Sequence, residues 1–258
     1  MFNPGFNIIP KFNPLGFEYG KDCFGPTVEN RTLDAIRKNL MDPNCDGPEI
    51  VYSIAMDVGC NQDKEMMIDR NLLYGAVTYE KGKLGQEPVR SQGHIHAVSK
   101  SCNSSTCEVY EIWSGEAYIY MQETAKDNPG RCFAVLAKPG DVVIVPPAWA
   151  HATIVADIHE SLSFGAWCVR DFGFDYTDVR AHKGLAYFPI VKEDDSIEFV
   201  KNNNYGDSNL IIKTPREYKE FNIEKDIPIY TQFKKDPDKF LFVSNPNLVR
   251  EKWLNFLP

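Results

Sequence analysis

The stretch that decides the fold runs from Gly93 to Gly115, GHIHAVSKSCNSSTCEVYEIWSG, and is completed further on by Val145–His151, VPPAWAH. Side chains two apart on a strand share a face, so His94 and His96 point the same way and Ile95 points to the other side. Glu108 opens the next β-rich run, and His151 opens the strand after a Pro-Pro turn. Three imidazoles and one carboxylate form a borderline-hard donor set. It suits one divalent transition metal, Fe(II), Mn(II), Ni(II) or Zn(II), and does not choose among them. The chain has 5 histidines and three fall in this pattern. His159 and His182 have no partners at ligand spacing and read as ordinary polar histidines.

Outward from these motifs, the chain reads as a succession of short strands. EIVYSIAMDV, NLLYGAVTY, CEVYEIW, EAYIYMQ, RCFAVLA, DVVIVP, ATIVAD and SLSFGAWCV are β-rich runs between Gly, Pro, Asp and Asn punctuation. Many strands at close spacing indicate a barrel or sandwich. Ser114-Gly115 has the composition of a hairpin turn, and Pro139-Gly140-Asp141 marks a second turn. The boundaries expected are an N-terminal arm over 1–48, a barrel over 49–205 and a C-terminal extension over 206–258. In the arm, Thr32 is positioned to cap a helix over LDAIRKNLM, whose Leu33, Ile36 and Leu40 share one face. In the extension, PIYTQF and KFLFVS read as short strands, and a last helix is expected after Pro246. The tail is too apolar to be free in solution, so it is expected to pack on the barrel or on a partner subunit.

Composition narrows the function. The net charge of -8 over 258 residues argues against nucleic acid, whose binding rests on Lys and Arg neutralising phosphates. The start, MFNPGFNIIPKFNPLGF, lacks a basic region leading into an apolar run, so neither a signal peptide nor a membrane span is expected there. The 7 cysteines are odd in number and contain no C-x-x-C pair, which fits reduced thiols and a cytoplasmic location. Cys102 and Cys107 flank a polar CNSSTC loop and read as decorating a surface excursion.

At these residues the chain resembles the cupin superfamily, an all-β class built as a double-stranded β-helix or jelly-roll barrel. The resemblance implies that fold here, with a few short helices in the terminal extensions. The His96–Glu108 interval is longer than the family pattern, and Ala148 stands at a motif glycine. The match is closer to the cupin-type phosphoglucose isomerases of archaea and some bacteria. It is carried by GHIH, by Glu108-Val109-Tyr110, by VPPAWAH, and by Asp175-Tyr176 ahead of Lys183-Gly184. It implies metal ligands at His94, His96, Glu108 and His151, with Glu108 also catalytic. It implies substrate contacts at Tyr52, Thr78, Ser91, Gly93, Tyr110 and Tyr176, and a homodimer.

The activity implied is metal-dependent interconversion of glucose 6-phosphate and fructose 6-phosphate, a step of glycolysis and gluconeogenesis. The small-molecule partner would be a sugar phosphate. Three family polar positions depart: a Thr falls at Val77 with Thr78 adjacent, a Tyr at Cys168, and a His at Phe174. A sugar-phosphate isomerase of different specificity, an Fe(II) dioxygenase and a non-catalytic metal- or sugar-binding cupin are the competing readings. Strand parity alone would also set Ser91 opposite His94, unless a bulge at Gly93 breaks the alternation.

Overall fold

The computed structural model describes residues 2–258. Ten strands make the two main sheets: β1 (Glu29–Thr32), β2 (Ile50–Met56), β3 (Leu72–Tyr79), β4 (Glu108–Ser114), β5 (Ala117–Gln122), β6 (Cys132–Ala137), β7 (Val142–Val145), β8 (Ala150–Val155), β9 (Leu162–Val169) and β10 (Leu210–Lys213). One sheet has the order β7-β4-β9-β3-β2-β1 and the other β8-β5-β6-β10. From β4 onward the chain crosses repeatedly between the sheets, at β4 to β5, β6 to β7, β7 to β8 and β8 to β9, which is the winding of a cupin barrel. The Ser114-Gly115 turn is therefore not a hairpin. It carries the chain across from one sheet to the other, with Gly115 at φ 70.

Period-2 alternation sorts the strands into three layers. Leu73, Val77 and Tyr79 of β3 and Phe164, Ala166 and Cys168 of β9 face the barrel interior, with Ile112, Ile119 and Val135. The opposite residues, Tyr74 and Ala76 of β3, Val109 and Trp113 of β4, and Trp167 of β9, face outward from the larger sheet. A surface of that size cannot stay wet. The two ends of the chain cover it: Phe6 stacks 4.2 Å from Tyr230, and Phe233 and Phe240 pack on Trp167. The outer face of the smaller sheet is covered by Val179, Leu185, Ala186 and Tyr205.

The covering segment differs from the strands expected there. PIYTQF and KFLFVS lie in helices Ile229–Lys235 and Leu241–Ser244. Their aromatic spacing reads as β in isolation, but the sheet beneath them takes a helical face of Tyr230, Phe233 and Phe240. After Pro246 the chain forms a 3-10 turn, Pro246–Val249, and then a short helix, Arg250–Trp253. In the arm, Thr32 caps a helix by accepting from the Ala35 N–H, but that helix spans only Leu33–Ile36 before a 3-10 turn.

Candidate metal centre

His94, His96, Glu108 and His151 each offer a ligand atom, and these atoms lie within 4.8 Å of one another. The fold places them by two devices. His94 and His151 bridge across the barrel mouth through paired backbone bonds, His94 N–H to His151 O at 3.1 Å and the reverse at 2.9 Å. Glu108 is the first residue of β4 and pairs with Val145, ahead of the Pro-Pro turn that leads to His151.

The ring orientations fit a cation. His96 Nδ1 lies 3.0 Å from the Thr106 carbonyl, and His151 Nδ1 lies 3.1 Å from the Trp149 carbonyl. A carbonyl only accepts, so each ring places its proton on Nδ1 and leaves Nε2 as a lone pair. Those two Nε2 atoms stand 3.2 and 3.3 Å from Glu108 Oε2. Lone pairs facing a carboxylate at that range repel unless a positive charge sits between them. Donor atoms each about 2.0–2.2 Å from a shared ion stand roughly 3 to 3.5 Å apart, a range that includes both separations. His94 Nε2 is buried with no partner at all.

Burial depresses His94, and the neighbouring His151 and His96 add to this, so that ring is neutral and free to ligate. Burial, then the Glu108 charge, pushes Tyr110 and Cys168 well up, so both stay protonated. Tyr110 Oη donates to Glu108 Oε2 at 2.8 Å and Cys168 Sγ donates to Oε1 at 3.5 Å.

The insertion after His96 is part of the centre. Ser105 Oγ donates to the His96 carbonyl at 2.7 Å and accepts from the Ala148 N–H at 2.9 Å, tying the two motifs together. Its far end is pinned by Asp171, which accepts from Ser99 Oγ at 2.9 Å and the Ser101 N–H at 3.1 Å. Cys107 is not a surface residue: it is fully buried, with Sγ 3.5 Å from the Phe242 carbonyl.

A cavity opens above the cluster. Tyr52, Ser91, Tyr110 and Tyr176 line it, and so do Val77, Cys168 and Phe174. Gly93 has φ 86, which breaks the alternation and brings Ser91 to the same side as His94. Two expected contacts stand elsewhere. Thr78 is an even residue of β3 and faces away from the cavity, with its hydroxyl buried and unpaired. Gly93 does not line the cavity; a Cβ there would come 2.9 Å from Leu185. Tyr79, Phe164, Ile54 and Met56 line it and were not anticipated. Parity within β2, β3 and β9, anchored on Tyr52, Val77 and Cys168, was the available signal.

An all-β barrel of this winding, closed around three histidines and a glutamate, is a cupin with a candidate metal centre. Residues 35–207 match the model of the family described as glucose-6-phosphate isomerase (GPI). The chain belongs to that family.

Similar proteins include the glucose-6-phosphate isomerase of Thermococcus onnurineus (strain NA1), 29% identical over 52% of this chain and 65% of that one. The glucose-6-phosphate isomerase of Pyrococcus furiosus is 30% identical over 51% of this chain and 64% of that one. The matches thus span just under two thirds of these relatives' length. Among solved structures, vicilin from Capsicum annuum aligns with a TM-score of 0.36 and 11% identity over 48% of this chain and 30% of that one, too slight a likeness to bear on the site.

Proposed function

We propose that the protein is a metal-dependent aldose–ketose isomerase that interconverts glucose 6-phosphate and fructose 6-phosphate. The observation that carries this reading is the cluster of His94, His96, Glu108 and His151 at the floor of a tyrosine-lined cavity, in a chain of the isomerase family. A bound divalent ion would supply Lewis-acid polarisation of the sugar's carbonyl and hydroxyl oxygens.

The chain's own residues do the rest. Glu108 Oε2 faces the two imidazoles, which leaves Oε1, bonded only to the weak Cys168 thiol donor, as the oxygen that takes a proton from carbon-2 and returns it to carbon-1. Tyr110 holds the carboxylate at its 2.8 Å hydrogen bond and fixes its plane. Ser91, Tyr52 and Tyr176 offer hydroxyls to sugar oxygens. Phe164, Phe174, Val77 and Met56 exclude water from the reacting carbons.

The reading extends to a homodimer, supported by Leu248, Leu254 and Leu257 exposed on the tail and Ile211 and Ile212 exposed on edge strand β10. It extends to a reducing, cytoplasmic setting, supported by seven free cysteines. Among the described residues, no helix is long and apolar enough to cross a membrane. The test is an assay of the metal-loaded protein for fructose 6-phosphate from glucose 6-phosphate, run beside an oxygen electrode. Product without oxygen uptake is expected. Oxygen consumption, or sugar-phosphate binding with no turnover on any aldose phosphate, would replace this reading with an oxygenase or a binding protein.

A further inference from the structure

The cavity above the metal cluster has no cation among its lining side chains: among the described residues, neither Lys nor Arg lines it. A phosphate monoester carries nearly two negative charges at neutral pH, and an unpaired charge in an apolar cavity is costly. A positive side chain at the rim would balance that charge.

The arm brings one there. Arg31 of β1 pairs directly with Tyr52 of β2, and Glu29 pairs with Ile54. Directly opposed residues share a face, and Tyr52 and Ile54 both line the cavity. The intervening Asn30 faces outward, where its Oδ1 accepts from Ser53 Oγ at 2.7 Å. The ladder shifts register between Arg31 and Thr32, so Arg31 is the last residue of the arm on the cavity face. Its guanidinium lies against the Tyr52 hydroxyl and within electrostatic reach of Tyr176 and His94. Nε is buried and has no partner. One terminal nitrogen is 2.8 Å from the Glu29 carboxylate, which is 67% exposed and free to swing away.

We propose that Arg31 binds the phosphate of an open-chain sugar phosphate at the cavity mouth, beside the Tyr52 and Tyr176 hydroxyls, and that the phosphate displaces Glu29. The proposal rests on the isomerase reading and deepens it by naming the group that selects a phosphorylated sugar. Arg31 lies ahead of the family match, which begins at residue 35. A guanidinium fork suits the geometry of phosphate oxygens, so its planar donors matter as well as its charge. The rival cation, Arg180, is engaged already: its guanidinium sits 4.7 Å from the Tyr176 ring centroid and donates to Gln92 Oε1 at 3.3 Å.

The experiment is calorimetric titration of the full chain with inorganic phosphate and with glucose 6-phosphate, with metal content and melting temperature measured on every variant. Arg31→Met should weaken both ligands about 10-fold or more, the scale of a charge-assisted hydrogen bond. Arg31→Lys should recover part of the loss. Glu29→Gln should tighten phosphate, and Arg180→Met should stay within about 2-fold of wild type.

In kinetics, Arg31→Met should raise KM for glucose 6-phosphate far more than it lowers kcat. Wild-type binding by Arg31→Met, or loss in Arg180→Met instead, would overturn the proposal. If Arg31→Met misfolds, Glu29→Gln decides it, and unchanged or weaker phosphate binding there overturns it. Turnover of glucose 6-phosphate that is indifferent to Arg31 leaves the isomerase standing and removes this site. Arg31-dependent phosphate binding in a wild type that isomerises nothing removes the isomerase and keeps the site.

Discussion

Glu108 sits where three roles meet: its Oε2 faces His96 and His151, accepts from Tyr110, and leaves Oε1 toward the cavity. Glu108→Gln keeps the size and one carbonyl oxygen but removes the charge. Turnover of glucose 6-phosphate should fall by about two to four orders of magnitude, the span of general-base effects, with a much smaller change in substrate affinity. Steady-state kinetics on metal-loaded protein checks this, and near-wild-type kcat would take the chemistry away from Glu108. Ala148 is a second informative residue. It stands at a motif glycine and holds φ 66, a region that costs an L-residue roughly 1–2 kcal/mol. Ala148→Gly should relieve that strain but loosen the unfolded chain, for a net stabilisation of under about 1 kcal/mol. Denaturant melts read it directly. Thr78 shows how one residue of register decides a site. Sequence placed a polar side chain within one position of the cavity, and the pleat turned it to the other face.

At the scale of elements, the insertion between the histidine pair and β4 acts as a strut. Ser105 bonds both the His96 carbonyl and the Ala148 N–H. Ser105→Ala should lower metal affinity by about 10-fold or more, in line with losses of outer-shell partners, while leaving the melting of the metal-free barrel nearly unchanged. Competition with a chelator measures it, and unaltered affinity would make the loop a bystander.

The docked helix Ile229–Lys235 presents a different case. Its first N–H donates to Glu111 Oε1 at 2.7 Å, and Glu111 is 1% exposed. Burial pushes Glu111 up to about 8 against the favourable bonds from Ile229 and Trp113. The unfolded chain ionises near the usual 4.5 while the folded chain keeps its proton. Stability from this group is therefore full below about pH 4.5, declines as pH rises, and levels off above about 8, by an amount on the order of 5 kcal/mol. Glu111→Gln should flatten that decline and melt higher than wild type at pH 8. A parallel pH dependence in both proteins would mean that Glu111 is ionised throughout.

The same elements show what a sequence reveals. The eight barrel runs were legible because alternation and turn residues agree with the final register. The clustering of His94, His96, Glu108 and His151 was legible because strand parity and the Pro-Pro turn fix these side chains locally. Helices Ile229–Lys235 and Leu241–Ser244 were not, because a four- to seven-residue aromatic stretch carries no period long enough to separate helix from strand. Arg31 was silent for another reason: it lies in a polar arm, and only the pairing with Tyr52 brings it to the cavity.

For the whole molecule, both ends of the chain are structural parts of the barrel wall. Tyr74, Trp113 and Trp167 face outward from the larger sheet and are buried by residues from both termini. Removing residues 206–258 should expose this aromatic face and yield insoluble or dye-binding protein rather than a smaller stable barrel. A soluble truncate with a sharp melt would contradict that view.

All of these layers serve to hold four side chains around one point, and that claim has a direct measurement. Wild-type protein and a His96→Ala/His151→Ala variant, both stripped of metal, are titrated with a divalent transition metal while fructose 6-phosphate formation from glucose 6-phosphate is followed. The account predicts that wild-type activity rises from near zero and saturates at one metal per chain, and that the variant neither binds the metal tightly nor turns over. Full activity in the stripped wild type, or equal metal binding by the variant, would contradict it.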